Sequence, residues 1–165
     1  MSVNLKHLSA TTLDAAKTFK KFKIGMVVSE WNSEITFSMR DAAIEFMKAK
    51  GVSEKSIIVH SVPGAFELPL GAQYLAQQKR IDAIITIGCV IKGETKHFDF
   101  ICHACASGIT QVSLKYNKPV IFGVLTTNNL QQAQDRVGGK HGNKGVEAAE
   151  TVLKMLQLQR SLEEM

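Results

Sequence analysis

The segment AIITIGCV, residues 83–90, is the most apolar stretch of the chain and decides the fold. A short run of apolar and β-branched residues is typical of a strand that is buried on both faces of a sheet. Residues 23–29 and 119–125 have the same character, and residues 56–61 form a fourth run before a Pro-Gly pair. The sequence therefore predicts about four strands.

Helical patterns separate these strands. Apolar residues recur at helical spacing over residues 34–50, and Gly51 follows where a helix commonly ends. Strands that alternate with helices indicate βαβ units and a parallel sheet covered on both faces. We therefore predict one α/β domain over residues 1–165, a three-layer α/β/α sandwich with a four-stranded parallel sheet, in which residues 1–22 form an N-terminal extension. The other helices are predicted over residues 65–79, 97–116, 129–136 and 143–162.

Composition narrows the class of protein. The 165 residues are 45% hydrophobic, which excludes a disordered chain, and the net charge of +5 is only mildly basic. The basic residues are dispersed and no apolar run reaches the roughly 20 residues that span a bilayer, so we expect neither a nucleic-acid nor a membrane partner. Three cysteines and no apolar leader predict a cytoplasmic protein.

The turns that follow the four strands carry the polar residues. In open parallel sheets, ligands bind outside the carboxyl ends of the strands. Residues 30–33, 62–67, 91–97 and 126–129 follow the predicted strands and supply an aromatic ring, carboxylates, a histidine, hydroxyls and amides. We therefore expect a site at this edge of the sheet.

Single residues in these turns leave two interpretations open. Trp31 can stack on a heterocycle or fold back onto the core. His97 at a helix start can transfer protons or bond to the backbone. Glu67 can bind substrate hydroxyls or complement a helix dipole, and Arg136 can bind phosphate or lie on a solvated surface. The amides of residues 93–95 can hold an anion at the same helix start.

Other motifs are weaker. Cys102 and Cys105 frame a CHAC sequence, but they lie in the middle of a predicted helix, where small residues suit close packing. The chain has neither a phosphate-binding P-loop motif nor a dinucleotide-binding glycine motif. We therefore predict no metal site and no dinucleotide cofactor.

Five segments taken together resemble the lumazine synthase family of riboflavin biosynthesis. They are WNSEI at 31–35, VPGAFELP at 62–69, GCVIKGETKHF at 88–98, FGVLTT at 122–127, and DR at 135–136 with GNKG at 142–145. The resemblance implies a transferase of flavodoxin-like fold that condenses 5-amino-6-(D-ribitylamino)uracil with 3,4-dihydroxy-2-butanone 4-phosphate. The product is 6,7-dimethyl-8-ribityllumazine, and no cofactor is implied. The alternative is a non-enzymatic flavin- or nucleotide-binding protein of the same architecture.

The resemblance also assigns roles to residues. It implies that His97 moves protons and that Phe122 comes from a neighbouring subunit. The family more often has Phe where Trp31 stands, which leaves open whether this chain also binds flavins. The expected contacts to the ribitylaminouracil are Trp31, Ala65, Phe66, Glu67, Cys89, Val90, Ile91 and Phe122. The expected phosphate-binding residues are Glu94, Thr95, Arg136 and Lys144.

Assembly is implied as well. Members of the family form homopentamers, and some pack twelve pentamers into an icosahedral, 60-subunit shell. Residues 138–144 have no insertion, a form that resembles the shell-forming members. We further expect riboflavin synthase as a partner and the N-terminal extension as a strand added to a neighbour's sheet.

Overall fold

The computed structural model describes Leu13 and residues 19–165. Its main sheet has four parallel strands, β1 (Ile24–Ser29), β2 (Ile57–Val62), β3 (Ala83–Ile91) and β4 (Val120–Thr127). The strand order is β2-β1-β3-β4, so β1 and β3 are central and β2 and β4 are the edges. The predicted four-stranded parallel sheet is confirmed.

Helices cover both faces of this sheet. Helices α1 (Ser33–Ala49) and α5 (Lys144–Glu163) pack on one face, while α2 (Leu68–Ala76) and α3 (His97–Tyr116) pack on the other. A short helix, α4 (Leu130–Gln134), follows β4. Alternate residues of the central strands feed two separate apolar clusters, with Met26 and Ile85 in one and Val27 and Ile84 in the other. This is the predicted three-layer, flavodoxin-like sandwich.

The predicted burial of β1 is confirmed, whereas β2, which was predicted only as a strand, is partly exposed. Every residue of β1 is buried, because it pairs with β2 and β3 and is covered by helices on both faces. In β2, the side chains of Val59, His60 and Ser61 are exposed. Within the part of the chain that the structure describes, β2 pairs with β1 alone, and no strand lies at its other edge.

Two further differences lie near the site. The helix predicted from residue 65 begins at Leu68 with Pro69 in its first turn, after a short 3-10 turn over Ala65–Glu67. The glycine-rich stretch between the last two predicted helices forms a small antiparallel hairpin of β5 (Val137–Gly139) and β6 (Gly142–Asn143), which the sequence did not predict. Gly138 and Gly142 have φ angles of 117° and 70°, a region that favours glycine.

The N-terminal extension lies largely outside the described residues. Of it, the structure describes Leu13 and residues 19–22, and Phe19 is fully buried against the α1–α5 face of the sheet. Among the described residues, none of the helices combines the length and apolar character needed to cross a membrane.

Candidate active site

The turns after β1 and β2 are joined by backbone hydrogen bonds. Glu30 N donates to Val62 O at 2.9 Å, and Trp31 N donates to Pro63 O at 3.1 Å. The indole of Trp31 remains 73% exposed. Of the two interpretations of Trp31, the structure therefore supports the surface position and not the core position.

Asn32 ties the β1 turn to β3. Its backbone is left-handed, with φ 57° and ψ 46°, and its Nδ2 donates to Cys89 O at 2.9 Å. Asn tolerates this conformation better than most residues do, which is the only local signal for its role. Sequence reasoning quoted Asn32 in a motif but did not select it as a site residue.

Glu67 and Trp31 border the same glycine. A Cβ placed on Gly64 would lie 3.1 Å from a carboxylate oxygen of Glu67 and 3.6 Å from Cδ1 of Trp31. Next to them, Ala65 is buried and Phe66 is 57% exposed. The residues of the β1 and β2 turns that are expected to contact the ribitylaminouracil thus lie close together, and Asn32 links them to Cys89.

The turn between β3 and α3 is open. Residues 92–97 are exposed, and His97 N donates to Thr95 Oγ1 at 3.3 Å, which supports the start of α3. Lys92 N donates to Thr127 O at 2.8 Å and joins this turn to β4. A Cβ on Gly93 would meet nothing within 4 Å, so the turn leaves room for a ligand beside Glu94 and Thr95.

A cavity of about 590 Å³ follows the open edge of β4 and reaches α5. Phe122 and Arg136 both line it, and Phe122 is 43% exposed. Arg136 Nη1 donates to Gln132 O at 2.7 Å, which fixes one end of the guanidinium. Lys144 also lines the cavity, so the structure brings together three residues that the sequence predicted for the site.

The β5–β6 hairpin places Arg136 and Lys144 side by side. Arg136 precedes β5 and Lys144 follows β6, and Lys144 N donates to Arg136 O at 2.9 Å. The Lys144 ammonium lies 2.8 Å from both carboxylate oxygens of Glu147. Sequence reasoning missed Glu147, whose three-residue spacing from Lys144 on one helix was the available signal.

The two groups of residues lie apart within one chain. Phe122 pairs with Thr86, whereas Thr126 pairs with Val90 near the carboxyl end of β3. Thr126 is four positions further along β4 than Phe122, which corresponds to roughly 13 Å along the strand. Phe122 also lies on an edge strand, two strands away from the β1 turn that holds Trp31.

Burial keeps the nearby thiols protonated. It raises the pKa of Cys89 to about 11 and that of Cys105 to about 12. Burial, with a smaller effect of the Asp99 charge, also raises the pKa of Cys102. At neutral pH Cys89 therefore has no reactive thiolate, and its contact to Asn32 is made by its backbone carbonyl.

The fold and these turns define an α/β protein with a candidate ligand site along the carboxyl ends of a parallel sheet. The family model described as 6,7-dimethyl-8-ribityllumazine synthase matches residues 21–160. The chain belongs to the 6,7-dimethyl-8-ribityllumazine synthase family, whose members are transferases of riboflavin biosynthesis. The resemblance identified from the five sequence segments is confirmed.

Individual relatives agree with this family. A protein of Cytophaga hutchinsonii is 62% identical over 132 residues, which cover 80% of this chain and 83% of that protein. A protein of Porphyromonas gingivalis is 48% identical over 160 residues, which cover 97% of this chain and 99% of that protein. Both relatives are named 6,7-dimethyl-8-ribityllumazine synthase, as is a Flavobacterium johnsoniae protein that is 46% identical over 97% of this chain and 84% of its own length. A non-enzymatic flavin carrier is not favoured.

Proposed function

We propose that this chain performs the family's condensation at the strand-end site. 5-Amino-6-(D-ribitylamino)uracil and 3,4-dihydroxy-2-butanone 4-phosphate form an imine, phosphate is eliminated, and ring closure with loss of water gives 6,7-dimethyl-8-ribityllumazine. The observation that carries this proposal is the joining of Trp31, Asn32 and Glu67 at one place by contacts that span three strands.

The first substrate has a flat ring and a polyhydroxyl chain, and both match this place. The exposed indole of Trp31 offers a face for stacking the pyrimidine. Glu67 offers carboxylate oxygens that accept hydrogen bonds from ribityl hydroxyls. We assign Ala65 and Phe66 to the ribityl chain, and we assign the uracil edge to the backbone at the end of β3, at Cys89, Val90 and Ile91.

The second substrate needs an anion site and a group that moves protons. Arg136 and Lys144 supply two cations at the cavity, and we assign the phosphate to them together with Glu94 and Thr95. We assign proton transfer to His97, which lies in the exposed turn at the start of α3. Imine formation and elimination are acid–base steps between groups held close together, so positioning contributes most of the acceleration.

The two edges of the sheet support assembly into a homopentamer. At the β2 edge, Leu70 and Tyr74 are 49% and 59% exposed beside a cavity of about 560 Å³. At the β4 edge, Phe122, Leu114 and Leu158 are 43%, 77% and 49% exposed. Two unlike apolar edges on opposite sides of one chain suit head-to-tail contacts that close into a ring.

In such a ring the β4 edge of one subunit, which carries Phe122, completes the site around Trp31 of the next subunit. This arrangement accounts for the distance between the two groups of site residues within one chain. We further propose that pentamers pack into a 60-subunit shell and that riboflavin synthase is a partner. The free thiols of Cys89, Cys102 and Cys105 suit the reducing cytoplasm, which is the location we propose.

The direct experiment mixes the purified chain with both substrates and follows the absorbance of the lumazine and the release of phosphate. We expect both products in equal amounts. A folded chain that forms no lumazine at saturating substrate but binds riboflavin would instead be a flavin carrier. Light scattering on the same sample measures the mass of the assembly.

A further inference from the structure

Lys144 stands where a helix disfavours its charge. It is the first residue of α5, and the partial positive charge of a helix N-terminus repels a cation. Glu147 lies one turn later, and both of its carboxylate oxygens are 2.8 Å from the Lys144 ammonium. The carboxylate offsets this repulsion, but helix stability alone gives no reason to place a lysine there.

The backbone beneath this ion pair is held from several sides. Asn143 Oδ1 accepts from Gly145 N at 2.8 Å, and Thr151 Oγ1 donates to Glu147 O at 2.7 Å. Gly145 lies so close to Met39 on α1 that an added Cβ would overlap the Met39 backbone. The first turn of α5 therefore has little freedom, and the direction of the Lys144 side chain depends on Glu147.

The pair is also accessible from the cavity. The side chains of Lys144 and Glu147 are 23% and 31% exposed, and both line the cavity with Arg136. An ammonium has three N–H donors, and the two contacts to Glu147 leave one. The positive charges of Arg136 and Lys144 and the negative charge of Glu147 sum to one net positive charge.

We propose that Glu147 is a positioning residue of the anion site, which holds the Lys144 ammonium beside Arg136 with one N–H directed to an anionic substrate oxygen. The proposal rests on the proposed role of Arg136 and Lys144 in binding phosphate. Glu147 makes no contact with the substrate itself and acts through Lys144.

A second role for Glu147 makes the opposite prediction. If its carboxylate served only to reduce the positive charge of the cavity, its removal would tighten the binding of any anion. If it positions Lys144, its removal frees a flexible side chain and weakens anion binding. The sign of the change in affinity therefore separates the two roles.

The test measures inorganic phosphate binding by titration calorimetry and the steady-state kinetics of the assembled protein. We expect Glu147→Gln to raise the phosphate Kd and the KM for the butanone phosphate by about threefold to tenfold, as for loss of one charge-assisted contact, with kcat within about twofold. In a Lys144→Met background, Glu147→Gln should have no further effect. Glu147→Asp, which keeps the charge on a shorter side chain, should give an intermediate value.

Glu150→Gln is the matched control, because it removes a 2.7 Å ion pair to Lys154 on the same helix but outside this cavity. It should leave the phosphate Kd unchanged. Tighter or unchanged phosphate binding in Glu147→Gln, or additive effects with Lys144→Met, would overturn the positioning role. Failure of the wild-type chain to form lumazine would instead refute the proposed function, and phosphate calorimetry is independent of that result.

Discussion

Trp31 keeps its indole at the surface because the backbone on both sides of it is held. The backbone N–H of Trp31 donates to Pro63 O. The next residue, Asn32, has a left-handed backbone conformation, and its side chain donates a hydrogen bond to β3. A large aromatic side chain exposed at 73% loses much of the free energy that burial would provide. At the scale of single residues, this cost is the best physical reason to expect a ligand at that position.

His97→Ala should slow turnover and leave measurable activity. Loss of a group that transfers protons costs about 100-fold or more, but substrates held together still condense. Steady-state lumazine formation measures the effect. His103→Ala, which removes another exposed histidine of α3 outside the proposed site, is the control. Complete loss of activity in a folded, assembled His97→Ala variant would contradict this picture.

The buried thiols predict loss of stability in alkali. The pKa of Cys105 is raised to about 12 from 9.0, so above pH 9 the unfolded chain releases a proton that the folded chain retains. The free energy of unfolding should therefore fall as pH rises from 9 toward 11, by roughly 1 kcal/mol per pH unit for this thiol. Urea unfolding at several pH values measures the slope.

Cys105→Ala separates this effect from other groups that titrate in alkali. The variant should show a shallower fall in the free energy of unfolding over the same pH range. Equal slopes in both proteins would mean that the Cys105 thiol does not titrate differently in the folded and unfolded states.

At the scale of elements, the β5–β6 hairpin and the start of α5 bring together the residues of the proposed anion site. The hairpin returns the chain so that Lys144 N bonds to Arg136 O. Helix α5 is then fixed against α1, where Gly145 faces the backbone of Met39. The glycine-rich sequence alone did not predict this hairpin, because only six residues separate Arg136 from Asn143 and its turn depends on the positive φ angles of Gly138 and Gly142.

Gly145→Ala should destabilise the protein strongly. A Cβ at this position would overlap Met39 O, a backbone atom that cannot move aside without shifting α1 or α5. We expect a loss of about 2 kcal/mol or more in the free energy of unfolding. The control is Gly93→Ala, where an added Cβ meets nothing within 4 Å. Equal stability of the two variants would show that the α1–α5 contact is looser than the structure indicates.

At the scale of the whole molecule, the two edges of the sheet are chemically different. The cavity at the β2 edge is lined by apolar residues and by Glu67. The cavity at the β4 edge is lined by Phe122 and by the cationic side chains of Arg136 and Lys144. A head-to-tail contact would bring these edges together and complete one site at each junction.

Mixed rings test this arrangement. Trp31→Ala and Phe122→Ala subunits should each have low activity. Co-refolding them in equal amounts should restore about one quarter of the wild-type sites, because Trp31 is intact at half of the junctions and Phe122 is intact at half of those. Lumazine formation measures recovery, and unmixed refolded samples are the control. No recovery, in rings that mass measurement shows to be mixed, would place Trp31 and Phe122 in one subunit's site.

The sequence by itself determined the four strands, most of the helices and the residues that follow each strand. Local apolar runs and helical spacing were sufficient for these features, because both depend on neighbours along the chain. The family segments added the reaction. Only the tertiary structure decided that β2 is an edge, that Asn32 bonds to Cys89 across 57 residues, and that Phe122 lies two strands away from the β1 turn that holds Trp31. Strand order and side-chain pairing across the sheet arise from contacts between distant segments, and no local pattern encodes which segments meet.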